Sequence, residues 1–289
     1  MKISLGAIPF YWPKAKVLDF YQQVKEWPID TVLLGENVCS KRRELNLTDW
    51  INIGEMLGHS GKKVVLSSLA LIEAESELKT LKNICSQERF LVEANDLGAV
   101  ELLQQQNQNF IGGPFLNIYN PQTLEMLIAD GLTQWVLPVE LGQKELSEMM
   151  QAIRERQLPV ATEVFVHGYL PLALSARCFT ARTLDRAKDQ CERVCIGYEQ
   201  GIAVNSQEGQ RLFTLNGIQT LSGQPLDLYD QIPVMKEMGV NTLRISPSQF
   251  HMTDIVMAYY EAVHQDVNPS HQFHGEYCRG YWFGQPGME

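Results

Sequence analysis

Short apolar runs rich in β-branched residues alternate along the chain with longer segments in which apolar residues recur at helical spacing. Alternation of this kind from end to end predicts repeated strand–helix units with parallel strands. The spacing predicts helices over 47–61, 122–131 and 144–157, and the first two end at a glycine, a usual residue at a helix C-terminus. The predicted strands are 2–8, 30–36, 62–71, 89–94, 110–119, 134–141, 159–168 and 241–247.

About eight such units in 289 residues predict an α/β fold, a (β/α)8 barrel of the TIM type. A doubly wound open sheet is the alternative, because alternation alone does not separate the two. The regular pattern breaks in an inserted segment over 169–240, which holds one further predicted strand at 211–218. We therefore expect a single domain, 1–289, with a cysteine-bearing loop insertion after the seventh strand, at the barrel face where active sites form.

Composition narrows the functional classes. The net charge of −10 argues against broad binding of nucleic acid or anionic membranes. The first residues do not follow the pattern of a signal peptide, and no apolar run approaches the roughly 20 residues of a transmembrane helix. We therefore expect a cytoplasmic protein in which thiols stay reduced. The six cysteines then indicate metal ligation, catalysis or core packing.

Three of these cysteines lie close together in the inserted segment, at Cys178, Cys191 and Cys195. The last two are four residues apart, which is one turn if that stretch is helical. A tetrahedral metal or a cubane cluster needs a fourth ligand. Cys39 is the best candidate, because it directly follows the second predicted strand and so lies on the face that carries the insertion. Cys278 is its rival.

The spacing leaves the kind of metal open, and structural zinc or unligated core thiols are alternatives. Basic residues surround the thiols, and Lys41, Arg42 and Arg43 directly follow Cys39. Such cations are expected to lower thiol pKa values and favour the metal-binding thiolate. The sequence contains no H-E-x-x-H, G-x-S-x-G, G-K-[ST] phosphate loop or G-x-G-x-x-G motif.

Further candidate residues flank the insertion. His167 and Glu163 lie four apart at the end of a predicted strand, so period-2 alternation predicts that they share a face at the barrel mouth. There the histidine would transfer protons, or alternatively hold the loop by a hydrogen bond. The side chains of Arg177, Arg182 and Arg244 are candidates for clamping a substrate carboxylate, or for stabilising a cluster.

Two remaining features have mainly structural interpretations. We expect Glu36 to form an ion pair with Arg42 or to accept hydrogen bonds within the loop. The aromatic stretches "YWP" (11–13) and "YWF" (281–283) are expected to pack in the core or to contact a partner subunit.

Several stretches together give the chain a resemblance to a known family. "EVFVHG" (163–168), "LPLALSARCFTAR" (170–182) and "GENVCSKRR" (35–43) resemble the collagenase-like peptidase family U32. Pro171 stands where the family signature has its first cysteine, and "IQTLSG" (218–223) lacks the usual late cysteine. These departures resemble the UbiV branch of the family, in which the early cysteine serves instead.

The resemblance implies a 4Fe-4S cluster whose ligands are Cys39, Cys178, Cys191 and Cys195. It further implies a heterodimer with a UbiU-like paralogue that acts in oxygen-independent hydroxylation of a ubiquinone precursor. A lipid-binding accessory protein and prephenate, as the suggested oxygen donor, belong to the same implied system. An alternative is a non-catalytic partner with a structural or redox-sensing cluster. The peptidase activity does not carry over, because the sequence has no protease constellation.

Overall fold

The structure, a computed structural model, describes residues 1–265, 273 and 275–287. Within them the strands are β1 (Lys2–Leu5), β2 (Thr31–Leu34), β3 (Lys63–Ser67), β4 (Leu91–Ala94), β5 (Phe110–Gly112), β6 (Leu132–Val136), β7 (Ala161–Leu174), β8 (Ile202–Asn205), β9 (Arg211–Asn216), β10 (Gln219–Asp227) and β11 (Thr242–Ile245). The helices are α1 (Lys14–Val24), α2 (Leu47–His59), α3 (Glu75–Cys85), α4 (Leu97–Gln105), α5 (Pro121–Ala129), α6 (Gln143–Glu155), α7 (Phe179–Thr183), α8 (Ile232–Met238) and α9 (Met252–His264).

Eight of these strands close into a parallel barrel. Strands β1 to β7 pair in chain order, and β11 pairs with both β7 and β1. Thr242 is aligned with Lys2 on one side and with Glu163 on the other, which closes the ring. The predicted (β/α)8 barrel is therefore confirmed, and the open-sheet alternative is wrong.

The helices surround the barrel because each carries one apolar face. In α2, Ile53 and Leu57 are buried against the strands. The Asn46 side chain begins this helix by accepting a hydrogen bond from the Asp49 backbone N–H at 3.0 Å. None of the described helices is long and apolar enough to cross a membrane.

Strand β7 is longer than the others and leaves the barrel. Its second half pairs antiparallel with β10, which continues through β9 to β8. Gly168 lies at the departure point with φ of +115°, and a Cβ there would approach the Ser246 Cβ to 2.7 Å. This antiparallel extension rises from the C-terminal end of the barrel strands, and it carries the segment with three cysteines.

Several strands are shorter than their apolar runs suggest. The predicted strand 110–119 ends at Gly112, where a glycine pair and Pro114 turn the chain into a 3-10 helix. Proline at the first helical position favours this change of direction. The apolar residues beyond Gly112 therefore belong to the loop that borders the barrel mouth.

Candidate metal centre

The first cysteine lies in the loop that follows β2. Gly35 begins this loop with φ of +126°, and a Cβ there would lie 2.6 Å from the Ser67 carbonyl oxygen, so no larger residue fits. The Glu36 carboxylate then accepts hydrogen bonds from the backbone N–H groups of Val38 (2.9 Å) and Cys39 (3.0 Å). These contacts fix Cys39 just beyond the C-terminal end of its strand.

The other three cysteines lie in short turns between β7 and β8. Cys178 caps α7, and its Sγ accepts a hydrogen bond from the Ala181 backbone N–H at 3.4 Å. Cys191 directly follows the 3-10 turn 188–190, and Cys195 lies in the 3-10 turn 194–197. The predicted one-turn spacing of Cys191 and Cys195 is thus realised in tight turns rather than in an α-helix.

The fold brings these four cysteines into one region. Cys178 is near enough to act electrostatically on both Cys39 and Cys195, and Cys191 acts on Cys195. The sulfurs are not closed into a coordination sphere. Among residues 1–265, 273 and 275–287, no three His, Cys, Asp or Glu side chains have the spacing of a metal site.

The two remaining cysteines lie elsewhere. Cys278 is 1% exposed, and its thiol donates a hydrogen bond to the Gln224 carbonyl oxygen at 3.1 Å, on the outer edge of β10. Cys85 is buried at the end of α3 and packs in the hydrophobic core. The location of Cys278 removes it as a rival to Cys39.

Burial dominates the chemistry of the unligated thiols. It raises the pKa of Cys39 to about 11 and also raises the pKa of Cys195, although Arg42 acts in the opposite direction on both. Arg42 thus acts on Cys39 and Cys195 in the expected direction, but desolvation outweighs the nearby charge and the pKa of both thiols is raised. A bound metal would itself have to drive their deprotonation.

A buried arginine joins the loops that carry the cysteines. The side chain of Arg42 is 1% exposed, and its guanidinium donates to the carbonyl oxygens of Pro9 (3.1 Å) and Asn216 (3.0 Å) and to the Asn216 Oδ1. It lies 3.5 Å from the Glu36 carboxylate, which confirms the expected ion pair. Among the residues that the structure describes, its buried Nε has no hydrogen-bond partner.

The β9–β10 turn, which Arg42 contacts through Asn216, is also hydrogen-bonded to the segments that carry the cysteines. The Asn216 amide donates to the Tyr198 carbonyl oxygen at 3.3 Å, three residues beyond Cys195. The Gly217 N–H donates to the Thr180 Oγ1 at 2.9 Å, two residues beyond Cys178. One buried cation thus links both parts of the chain that carry the thiols.

The donor set fits an iron–sulfur centre in kind, and the fold brings its members into one region. The buried guanidinium of Arg42 acts electrostatically on two of the four thiols, Cys39 and Cys195, and a four-thiolate cluster carries net negative charge that such a cation offsets. The unpartnered Arg42 Nε is a polar atom still available to an acceptor in this region. Residues Cys39, Cys178, Cys191 and Cys195 are therefore the ones that would hold the group.

Arg244 lies inside the barrel rather than at its mouth. Its Nε and Nη2 donate to the two carboxylate oxygens of Glu163, both at 2.9 Å, and its Nη1 donates to Glu93 at 2.6 Å. The guanidinium is 5% exposed and bound on both sides. The expectation that Arg244 is free to clamp a substrate carboxylate is wrong, because two buried carboxylates already occupy it.

Glu163 is held as an anion in this interior network. Burial acts to raise its pKa, but the Arg244 guanidinium, with hydrogen bonds from Ser4 and Gln134, outweighs burial and lowers the pKa. Glu93 accepts further bonds from the Ser67 hydroxyl (2.5 Å). Together these residues form a polar layer across the barrel interior.

His167 and Glu163 do not share a face. A bulge between Phe165 and His167 shifts the register against β11, so the alternation changes sides before His167. The His167 ring packs against Tyr259 of α9, and its Nδ1 lies 3.2 Å from the Asp227 carboxylate. The predicted pair at the barrel mouth is therefore wrong, and His167 instead joins the strand to the helix layer.

The two arginines beside Cys178 face solvent. Arg177 and Arg182 are exposed, and the backbone N–H of Arg177 donates to the Ser175 hydroxyl at 3.1 Å. Their binding of a carboxylate stays a prediction. Of the aromatic stretches, Tyr11 and Trp12 are core residues at 4% and 2% exposure, which confirms the packing interpretation for "YWP".

Two residues of the site were not predicted from the sequence. Asn216 lies in a turn of the antiparallel extension, and no local pattern indicates that it receives an arginine from position 42. Glu93 is the third residue of the short apolar strand β4, and a charged residue within such a strand was the one available sign of an interior ion pair.

Comparison with known proteins identifies a family. A family model described as Peptidase family U32 matches residues 19–279. A curated relative, tRNA hydroxylation protein P1 of Bacillus subtilis (strain 168), is 24% identical over 153 residues, which is 51% of this chain and 35% of the relative. The aligned part of the chain thus spans about a third of that relative's length.

The solved structures that resemble the chain are remote. A dihydropteroate synthase from Anaplasma phagocytophilum aligns with 92% of this chain and 99% of its own, at 10% identity and a TM-score of 0.43. An alpha-amylase from Lactobacillus plantarum aligns with 57% of this chain and 45% of its own, at 10% identity and a TM-score of 0.23.

Proposed function

We propose, from the premise that the chain belongs to peptidase family U32, that it is the iron–sulfur subunit of an oxygen-independent hydroxylase. The observation that carries this proposal is the gathering of Cys39 with Cys178, Cys191 and Cys195 in one region, where the buried Arg42 acts on Cys39 and Cys195. Four thiols from two distant stretches form a donor set suited to a 4Fe-4S cluster. Binding has to draw the sulfurs inward from the positions they occupy here.

A hydroxylation role has support from the curated relative, whose name is tRNA hydroxylation protein P1. The choice of a ubiquinone precursor as substrate rests on the resemblance of "GENVCSKRR" and "LPLALSARCFTAR" to the UbiV branch. We propose accordingly that the chain works as a heterodimer with a UbiU-like paralogue. The lipid-binding accessory protein and prephenate belong to the same proposal.

The residues of the chain have distinct parts in this function. A cluster ligated by four cysteines supplies electron transfer when bound, because no iron position is left open. Cys39 and the three cysteines of the insertion would hold the cluster, and Arg42 would offset its charge. The β9–β10 turn connects the two parts of the chain that carry the cysteines. The polar layer around Glu163 and Arg244 stabilises the barrel beneath.

A second candidate function is a partner protein whose cluster is structural or redox-sensing. The placement of the predicted catalytic groups favours it, because His167 faces α9 and Arg244 is bound by two carboxylates. Neither group is positioned to move a proton at the barrel mouth. In this case the reaction would take place on the paralogue.

The test is anaerobic purification of the chain with its paralogue, followed by iron and sulfide analysis and a turnover assay on the ubiquinone precursor. We expect about four irons per chain, and loss of iron in Cys39→Ala and Cys191→Ala. Cys85→Ala and Cys278→Ala are the matched controls and keep the iron. Stoichiometric zinc without iron in the anaerobic sample overturns the proposal.

Turnover separates the two candidate functions. If the pair containing Cys191→Ala stays assembled and still turns over, electron transfer through this cluster is excluded and the partner function stands. If the pair assembles but turnover is lost, the cluster takes part in the reaction.

A further inference from the structure

A pocket of about 340 Å3 opens in the outer layer of the barrel, between α2 and α3. Its floor is formed by Leu34 of β2 and Leu66 of β3. The preceding residues, Leu33 and Val65, pack together in a separate cluster inside the barrel, so alternation directs Leu34 and Leu66 outward to the helices. Helix α2 packs against α1 and α3 packs against α4, which leaves this pocket between the two pairs.

The walls of the pocket are apolar. Trp50 comes from α2, Ile84 comes from α3, and Leu69 comes from the loop after β3. Trp50 and Ile84 are half-buried and pack against the main hydrophobic core. Small-molecule sites have volumes of roughly 300–1,000 Å3 and mostly apolar linings, and this pocket meets both criteria.

The carboxylates at the rim are already bonded within the protein. The Glu77 carboxylate accepts hydrogen bonds from the Ser40 hydroxyl and from the backbone N–H groups of Glu73 (2.6 Å) and Ala74 (3.1 Å). Glu36 is paired with Arg42. A cationic ligand would therefore lose its hydration without gaining a counter-ion, which is costly. The other charged side chain of the lining, Arg43, is exposed, and its Nε donates to the Ser40 carbonyl oxygen at 3.3 Å.

Neutral polar groups complete the rim. Asn46, Thr80 and Asn83 line it beside the hydroxyl of Ser40. Amide and hydroxyl groups of this kind donate to or accept from an uncharged oxygen. Ser40 also directly follows Cys39, so the pocket borders the loop that carries the first thiol.

We propose that this pocket binds a neutral, ring-sized apolar molecule that carries a hydroxyl or carbonyl group, as in the phenol class. The ring lies on Leu34 and Leu66 with Trp50 beside it, and the oxygen faces the amide and hydroxyl groups of the rim. This site does not depend on the cluster, so the proposal is tested independently of the proposed function.

The test is a titration of the full chain with phenol, followed by fluorine NMR on protein labelled with 5-fluorotryptophan. The chain has five tryptophans, and the Trp50 resonance is assigned with Trp50→Phe. We expect the Trp50 resonance to shift saturably, while those of the buried Trp135 and Trp282 stay in place. Benzylamine is expected to bind about tenfold more weakly or worse, because burial of its positive charge is uncompensated.

Filling the pocket provides the matched comparison. Ile84→Phe is expected to weaken phenol binding about tenfold, because the larger ring occupies the space of the ligand. Ile128→Phe is the control, since Ile128 is also half-buried in a helix of the outer layer but lies in α5. If Ile84→Phe does not fold by circular dichroism, Leu69→Phe takes its place.

Three results would overturn the inference. The first is a Trp50 resonance that does not respond to phenol. The second is benzylamine binding as tightly as phenol, which would contradict the exclusion of cationic ligands. The third is an equal loss of affinity in the pocket-filling variant and in Ile128→Phe. Iron analysis of the same samples shows whether the cluster is present in each case.

Discussion

At the scale of single residues, Arg42 has the most unusual environment in the candidate centre. It is a cation with a side chain 1% exposed, it bonds Pro9 and Asn216, and it acts electrostatically on Cys39 and Cys195. Burying a charge is costly unless it is paired. Within the protein its carboxylate partner, Glu36, lies at 3.5 Å, which leaves room for a second negative group.

We expect Arg42→Gln to weaken iron binding by about 10–100-fold, the usual effect of removing an outer-shell partner of a metal site. Arg42→Lys keeps the positive charge but loses the paired N–H donors of the guanidinium. Its iron affinity is therefore expected to lie between those of wild type and Arg42→Gln. The measurement is chelator competition on anaerobically loaded protein, with the visible spectrum recorded in parallel. Arg43→Gln is the control, because Arg43 is the exposed neighbour. Equal iron retention in Arg42→Gln and Arg43→Gln would contradict the role of Arg42.

The ion pair between Glu163 and Arg244 predicts a pH dependence of stability. The folded-state pKa of Glu163 lies below its ordinary value of 4.5. Its contribution is therefore complete above the ordinary pKa and is lost as the pH falls through the lowered one. Arg244→Met leaves two buried carboxylates without their cation, and we expect it to cost about 3–5 kcal/mol near neutral pH.

The measurement for this second prediction is urea unfolding of wild type and Arg244→Met between pH 7 and about pH 3. The difference in unfolding free energy is expected to shrink at the acid end, where protonation removes the negative charge that the arginine offsets. Arg154→Met is the control, because Arg154 is exposed and only bonds the Met238 carbonyl oxygen. A difference that grows towards low pH would refute the assignment.

At the scale of elements, β7 belongs both to the parallel barrel and to the antiparallel extension. Its first half completes the barrel between β6 and β11, and its second half begins the antiparallel extension that carries Cys178. The bulge before His167 and the positive φ of Gly168 mark the change between the two. Bulges bend and twist a strand, which redirects the chain at this point.

We expect Gly168→Ala to destabilise the protein by about 1–3 kcal/mol, because an alanine is strained at φ of +115° and its Cβ would meet Ser246 at 2.7 Å. Gly58→Ala is the matched control, since Gly58 is in α2 with nothing within 4 Å of its Cβ position. There we expect a gain of up to about 1 kcal/mol from helix propensity. Urea unfolding measures both, and equal effects would contradict the strain at Gly168.

These elements also show how far sequence reasoning reached. The barrel was predictable, because eight apolar runs separated by amphipathic segments leave few other ways to bury every run. The face on which His167 lies was not predictable from the sequence. A single extra residue in β7 reverses the alternation of faces, and the apolar pattern does not reveal it. Arg244 was predicted to clamp a substrate carboxylate or to stabilise a cluster, and its pairing with Glu93 depends on strands that are distant in sequence.

At the scale of the whole molecule, the candidate centre lies between a rigid barrel and a less regular segment. Cys39 is fixed by the turn after β2, whereas Cys178 caps the short helix α7, Cys191 follows one 3-10 turn and Cys195 lies in another. Lys188 ties this segment to Glu73 and to the Ala176 carbonyl oxygen. Placement of Cys39 could be predicted from its strand, but the approach of the later cysteines depends on the β9–β10 turn.

The contrast between the barrel, which fixes Cys39, and the less regular segment with the other three cysteines predicts where iron loading stabilises the protein. A ligand that binds only the closed arrangement slows local opening by mass action, and it acts most on the segment with the fewest supporting contacts. We expect amide hydrogen exchange over residues 178–198 to slow by about tenfold or more on anaerobic iron loading, while β4 in the barrel stays unchanged. Cys191→Ala removes one ligand and is expected to abolish the slowing, whereas Cys278→Ala keeps it. If exchange slows equally in the barrel and in the cysteine segment, or equally in both variants, the metal does not act by joining this segment to Cys39.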